Sequence, residues 1–240
     1  MNLVIDIGNS LQKIALFDHE PEPLFVHTFK NISYNDISPL LDKFPIKNSI
    51  ISAVAPYEQK ITDILKLRTH FITFTQNLDF SIRIQYEDKQ TLGSDRLANA
   101  VAAHSLYPNQ SVLSIQAGSC IVADFIDKNG NYCGGSISPG IDMRFRALHE
   151  FTSQLPRLSK KNIDFFIGNS TENSILSGVI NGTINEINVM IERYKNQYSD
   201  LLVLLTGGDG EFLNDALKNR LFFTPHLVLI GLNKILDINL

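Results

Sequence analysis

The sequence has only two cysteines, no long apolar run and no block of basic residues, and each absence removes a class of protein. Cys120 and Cys133 are too far apart for a CxxC motif, and neither has a histidine beside it. They are expected to be reduced thiols in a cytoplasmic protein. The six histidines are scattered, with no HExxH or paired spacing, so a zinc site is not expected. No apolar run approaches the roughly 18–20 residues a membrane helix needs. The start, MNLVIDIGNS, has no basic leader and reaches Asp6 before a signal-peptide core could form. Lys and Arg cluster only in twos and threes and the net charge is −4, so neither a nucleic-acid surface nor a membrane is an expected partner. Both GxxxxGKS/T and GxGxxG are missing, which sets aside the P-loop and dinucleotide fingerprints.

What remains is a chain of 240 residues, 44% hydrophobic and 19% charged, enough to bury a core in one large domain or two modest halves. Apolar periodicity predicts strands at Asn2–Ile7, Lys13–Asp18, Ser49–Val54, Thr69–Thr75, Ser111–Ile115, Cys120–Ile126, Tyr132–Ser138 and Leu201–Leu205. Helices are expected over Tyr57–Lys66, Ser94–Leu106, Asp142–Glu150, Asn173–Arg193 with a break near Gly182, Glu211–Lys218, and from Leu227 onward.

The first hairpin has a second copy. LVIDIGNSLQKIALFD aligns with LSIQAGSCIVADFID with one gap, pairing Ile5 with Ile115, Gly8 with Gly118 and Ser10 with Ser119. A repeat about 110 residues apart is too long for a solenoid and fits a duplicated α/β domain. Halves 1–112 and 113–240 are expected, packed around a shared cleft.

Each repeated turn joins a glycine to a hydroxyl or amide, which lets backbone N–H groups approach an anion. Any one such turn could be no more than a tight turn. Two at equivalent places, with a third at Gly207-Gly208-Asp209-Gly210, point to nucleotide phosphates held by paired hairpin loops. Asp6 beside the first turn would repel a bare phosphate, and Mg²⁺ between them resolves the conflict. Leu92-Gly93-Ser94-Asp95-Arg96 precedes an Ala-rich helix. There Ser94 or Asp95 could simply cap the helix; alternatively Asp95 is a base for a substrate hydroxyl, with Arg96 as an anion clamp.

Together these residues resemble type III pantothenate kinases, in the actin-like superfamily of sugar kinases and heat-shock ATPases. The resemblance covers nearly the whole chain. It rests on Asp6-Ile7-Gly8-Asn9-Ser10, Tyr86, Gly93-Ser94-Asp95-Arg96, Gly118-Ser119 with Asp124, Gly134 to Gly140, Thr171, and Thr206-Gly207-Gly208-Asp209. It implies a duplicated ribonuclease H-like (actin-like ATPase) fold, two halves around a nucleotide cleft, and ATP-dependent phosphorylation of pantothenate at its 4′-hydroxyl, which opens coenzyme A biosynthesis. The first ATP phosphate loop would be Asp6, Ile7, Gly8, Asn9, Ser10, Leu11, Gln12 and Lys13, with Asp6 acting through Mg²⁺. Ser119 matches a threonine of the second loop. Tyr86, Gly93, Ser94, Asp95, Arg96 and Thr171 match pantothenate-contacting positions, and Asp95 the proton acceptor. A homodimer is also implied.

Gln116 departs from the pattern. The family has an aspartate there that helps bind a monovalent cation, K⁺ or ammonium. An amide oxygen holds such an ion less strongly, so weak binding and no binding both stay open. Two rival functions stand beside the kinase: an enzyme for another small hydroxylated acid or sugar, and a catalytically weak nucleotide-binding regulator.

Overall fold

The computed structural model describes residues 1–217 and 221–240. The chain packs as two units. The first takes Met1–Asn109, Gly130–Cys133 and His226–Leu240, and the second takes Gln110–Asn129 and Gly134–Pro225.

The first unit opens with β1 (Asn2–Ile7), β2 (Gln12–Phe17), β3 (Phe25–Phe29), α1 (Tyr34–Lys43), β4 (Asn48–Ala53), α2 (Gln59–Arg68) and β5 (His70–Thr73). A two-residue β6 (Arg83–Ile84) and α3 (Ser94–Leu106) follow. Next come β7 (Val112–Ala117), β8 (Cys120–Ile126), β9 (Asn131–Pro139), α4 (Ile141–Glu150), α5 (Thr171–Gln197), β10 (Leu202–Thr206), α6 (Gly210–Ala216) and β11 (Phe222–Phe223). The last element is α7 (Leu227–Ile238).

The duplication is visible strand by strand. One sheet runs β3-β2-β1-β4-β5, and the other carries the order β9-β8-β7-β10-β11. In each, the opening hairpin is antiparallel and the central strand then pairs in parallel with the fourth strand. The hairpin strands are almost wholly buried, as near-continuous apolar runs require. Asp6 and Gln116 occupy the same penultimate position of β1 and β7. In the second unit Leu113, Ile115, Ala123 and Phe125 of the sheet pack on α5 through Leu176, Val179, Ile180 and Ile187.

The helix α7 settles where the C-terminus packs. Its sequence is apolar over most of its circumference and buried there, with Lys234 and Asp237 on the remaining polar strip. It lies along α3 and against β1 and β4, so close to α3 that a Cβ on Gly231 would sit 1.8 Å from the Ala98 carbonyl oxygen. Asn2 reinforces the contact, donating from Nδ2 to Asn233 Oδ1 (2.9 Å) and Asp237 Oδ1 (2.8 Å). The expected boundary at residue 112 assigned this helix to the second half; its packing is instead with its own counterpart, α3.

Other expectations shift in detail. The long helix runs unbroken through Gly182. The helix expected over Glu211–Lys218 is α6, and Lys218 lies outside the described residues. The strand β3 and helix α1 had no counterpart among the expected elements. α1 starts on a capping box in which the Ser33 N–H donates to Asp36 Oδ2 at 2.8 Å.

Candidate active site

In the first unit the β1–β2 turn presents half-buried Gly8 and exposed Asn9, Ser10 and Leu11, with buried Ile7 and Gln12 as its two roots. Gly8 is required here, since a Cβ would lie 2.7 Å from the Leu11 carbonyl oxygen. Gln12 fixes the base of the turn by accepting the Ile32 N–H at 2.6 Å.

Asp6 faces Lys13 across the antiparallel ladder and Ser52 across the parallel one, so the three side chains share a face. Burial pushes the Asp6 carboxyl up from 3.8 to about 6; Lys13 pulls it down, and Asp95 pushes it up further. Asp95 is thus close enough to Asp6 to raise its carboxyl. Ser52, beside Asp6 in the strand register, donates its buried hydroxyl to Ser94 Oγ at 2.9 Å and moors the start of α3 to the end of β4.

Gly93 precedes α3, and its missing side chain leaves room for Asp95, whose Oδ1 would lie 2.7 Å from a Cβ there. Asp95 Oδ1 accepts the Arg96 N–H at 2.9 Å, so it also meets the positive end of the helix dipole. Arg96 is buried, its Nη1 donating to Tyr86 OH at 3.3 Å with the guanidinium 5.5 Å from the Tyr86 ring centre. Tyr86 packs in turn near Tyr132, at 6.1 Å between centroids. His226, just ahead of α7, is held below the ordinary histidine range by burial and then by Lys13.

The second unit gathers three turns at one end of its sheet. The Gly118 N–H donates to Cys120 O (2.9 Å), Gly140 N–H to Ser119 O (3.1 Å) and Asp209 N–H to Ala117 O (3.0 Å). Gly207 has φ +95°, and a Cβ on it would meet Ala117 O at 2.2 Å. Ser119 is exposed at the tip, Gln116 is half-buried and paired in register with Thr206, and Asp124 is buried on β8. Lys160 pairs with Asp209 from the long segment before α5. Thr171 is exposed in the first turn of α5; the cap there is Ser170, whose Oγ accepts the Asn173 N–H at 3.2 Å.

The structure therefore brings Asp6, Lys13, Ser94, Asp95, Arg96 and Tyr86 together in one unit, and Ser119 and Gln116 together in the other. Thr171 stands apart from Ser119 in the second unit's sequence, on a helix rather than on the three turns. Sequence reasoning missed Ser52 as the anchor of Ser94, since only strand register places it beside Asp6. No group of three or more His, Cys, Asp or Glu side chains able to hold a metal occurs among the described residues. A divalent ion carried by phosphate oxygens needs only one or two carboxylates, and a buried acid such as Asp6 gains from a cation beside it.

Known proteins resemble this chain over its whole length. A solved structure of a Baf family protein from Campylobacter jejuni superposes with a TM-score of 0.60 at 24% identity, covering 98% of this chain and 97% of that one. A ROK family glucokinase from Streptomyces griseus, solved with glucose and AMPPNP, gives a TM-score of 0.54 at 10% identity, covering 99% and 98%. Both likenesses establish the duplicated actin-like fold. The curated type III pantothenate kinase of Phocaeicola vulgatus is 42% identical over 240 residues, spanning 100% of this chain and 99% of the relative. The family model of type III pantothenate kinases matches residues 2–193. The resemblance in the turns thus extends to the full length, and this chain belongs to the type III pantothenate kinase family.

Proposed function

We propose that this protein transfers the γ-phosphoryl group of ATP to the 4′-hydroxyl of pantothenate, giving 4′-phosphopantothenate and ADP at the start of coenzyme A biosynthesis. The observation that carries this reading is Asp6 at the root of the β1–β2 turn with Asp95 near enough to raise its carboxyl, the start of α3 being held to β4 by the Ser52–Ser94 hydrogen bond. Phosphoryl transfer requires in-line positioning, charge neutralisation and an acceptor for one proton. Asp95 accepts the hydroxyl proton as the oxygen attacks the γ-phosphorus. The bond to the β–γ bridging oxygen breaks, and ADP leaves.

Arg96, its plane fixed by Tyr86, is suited to the pantothenate carboxylate, with Gly93 and Ser94 shaping the approach and Thr171 a further contact. The turn from Asp6 to Lys13 is the phosphate loop of the first unit, and the Gly118-Ser119 turn has the same equipment in the second. Mg²⁺, when bound, neutralises charge on the phosphate oxygens, and Asp6 is the residue fitted to hold it.

The uncharged Gln116 leads us to expect that a monovalent cation is bound weakly or not at all. Strong, saturable activation by K⁺ or ammonium at low concentration would sink this part of the reading. A homodimer is proposed from the exposed apolar side chains Ile137, Met143, Phe166, Ile167 and Val189 of the second unit, checked by light scattering. The two free cysteines fit a reducing, cytoplasmic setting.

The functional test is ADP release with and without pantothenate, beside a panel of small hydroxylated acids and sugars. Asp95→Asn should lower kcat about 100-fold or more while nucleotide binding persists. Turnover near wild type in that variant removes Asp95 as the base, and preference for another acceptor removes pantothenate as the substrate.

A further inference from the structure

The Gly118-Ser119 turn is set in place by a side-chain clamp behind it. Arg144, in the first turn of α4, donates from Nε to the Pro139 carbonyl oxygen at 2.8 Å and from Nη2 to Glu186 Oε2 at 2.5 Å. Its Nη2 also reaches Ser138 Oγ at 3.4 Å, and that hydroxyl donates to Glu186 Oε1 at 2.5 Å. One carboxylate on α5 therefore gathers the end of β9 and the start of α4. The bidentate reach of a planar guanidinium suits this task.

What the clamp holds is Gly140. Its N–H donates to Ser119 O at 3.1 Å, and a Cβ on it would lie 2.0 Å from Gly118 O and 2.7 Å from Ser119 O. Backbone at Gly140 and backbone at the turn are in direct contact, so neither moves without the other. The Arg144 and Glu186 side chains are 22% and 34% exposed, a setting in which an ion pair adds little to folding stability. The clamp instead ties the end of β9 to α4 and α5.

We infer that Arg144 and Glu186 are positioning residues for nucleotide binding, holding Pro139-Gly140 against the Gly118-Ser119 turn so that its N–H groups and hydroxyl meet the ATP phosphates. The inference rests on the proposed reading of that turn as a phosphate loop. It assigns to Arg144 and Glu186 no contact with the phosphoryl group itself. Their removal therefore acts on ATP affinity more than on kcat or on the pantothenate KM.

The test compares Arg144→Ala, Arg144→Lys and Glu186→Gln with Ser119→Ala in the full chain. Calorimetric Kd for Mg-ATP, the two KM values, kcat and the thermal midpoint are measured for each. Arg144→Ala should weaken ATP binding about 5- to 20-fold, with the pantothenate KM within about twofold and kcat within about threefold. Arg144→Lys, which supplies a point charge without the fork, should recover part of the loss. Glu186→Gln keeps the shape of the clamp and decides the matter if Arg144→Ala fails to fold.

ATP affinity within twofold of wild type in Glu186→Gln and in every folded Arg144 variant, while Ser119→Ala weakens it, overturns the inference and spares the phosphate turn. A loss confined to kcat and accompanied by a lower midpoint also overturns it, because that is the signature of a smaller folded fraction. If Ser119→Ala leaves ATP affinity unchanged, the phosphate-loop reading fails and the inference falls with it. Calorimetry separates all of these from a wrong choice of phosphoryl acceptor, since it needs no turnover.

Discussion

Replacing Asp6 by asparagine should make the protein more stable and much less active, and the stability gain should depend on pH. Burial lifts the Asp6 carboxyl from 3.8 to about 6, with Asp95 adding to the rise and Lys13 opposing it. A shift of about two units, at about 1.36 kcal/mol per unit, corresponds to a penalty of up to about 3 kcal/mol for keeping this carboxylate charged in the fold. Below pH 3.8 the group is protonated in both the folded and unfolded states, and no penalty exists. As pH rises from there to about 6, the unfolded chain gives up its proton first, and the folded state loses stability relative to it.

The amide introduced by Asp6→Asn carries no charge at any pH. The variant should therefore match wild type near pH 4 and exceed it at pH 8 by about 1–3 kcal/mol, or several degrees in a chain of this size. Thermal unfolding between about pH 4.5 and 8, without nucleotide, measures this. Mg-ATP should reverse the order, stabilising wild type strongly and the variant little, because the cation offsets the charge that burial penalises. A stability difference independent of pH, or a variant less stable at pH 8 than wild type, would refute the reasoning.

Three more outcomes follow from the packing. Gly231→Ala places a methyl 1.8 Å from the Ala98 carbonyl oxygen, where both neighbours are helix backbone, and should cost about 2 kcal/mol or more, read as a lower urea midpoint. Gly207→Ala combines a φ of +95° with a 2.2 Å clash against Ala117 O and should distort the β7–β8 turn, raising the ATP KM more than the pantothenate KM. Tyr86→Ala removes both the ring beneath Arg96 and its hydroxyl partner, so the pantothenate KM should rise about tenfold with the ATP KM unchanged; Tyr86→Phe, which keeps the ring, should change it less than about threefold.

Much of the frame was legible because its strands are fully buried. β1 and β8 begin and end where the apolar runs meet a glycine or a charge, and α3 spans the Ala-rich stretch Ser94–Leu106 without a residue of difference. The unread elements are those whose sequences hide their state. β3 lies at a sheet edge with most of FVHTF exposed, leaving no alternation to follow, and α1 contains Pro39. Its capping box at Ser33 and Asp36 was a readable signal. In α5 Gly182 suggested a break, a cost of roughly 1 kcal/mol, but a stripe from Ile175 to Ile191 buries enough apolar surface to outweigh it. At the site, Asp6 and Asp95 stood out by motif. Their nearness, and the Ser52–Ser94 bond that sets α3 beside β4, did not, because both depend on which strand lies beside β1, and short-range pattern carries no such information.

The pairing of α3 with α7 also sets a timetable for synthesis. The strands of the first unit leave the ribosome early, yet the helix that covers β1 and β4 comes from residues 227–238. Until then Val4 and the apolar face of α3 lack their cover, whereas the second unit, all of it before residue 226, has every strand and helix it needs. Nascent chains should therefore gain protease resistance in the later-made unit first, and the earlier-made unit should close only when the last helix emerges.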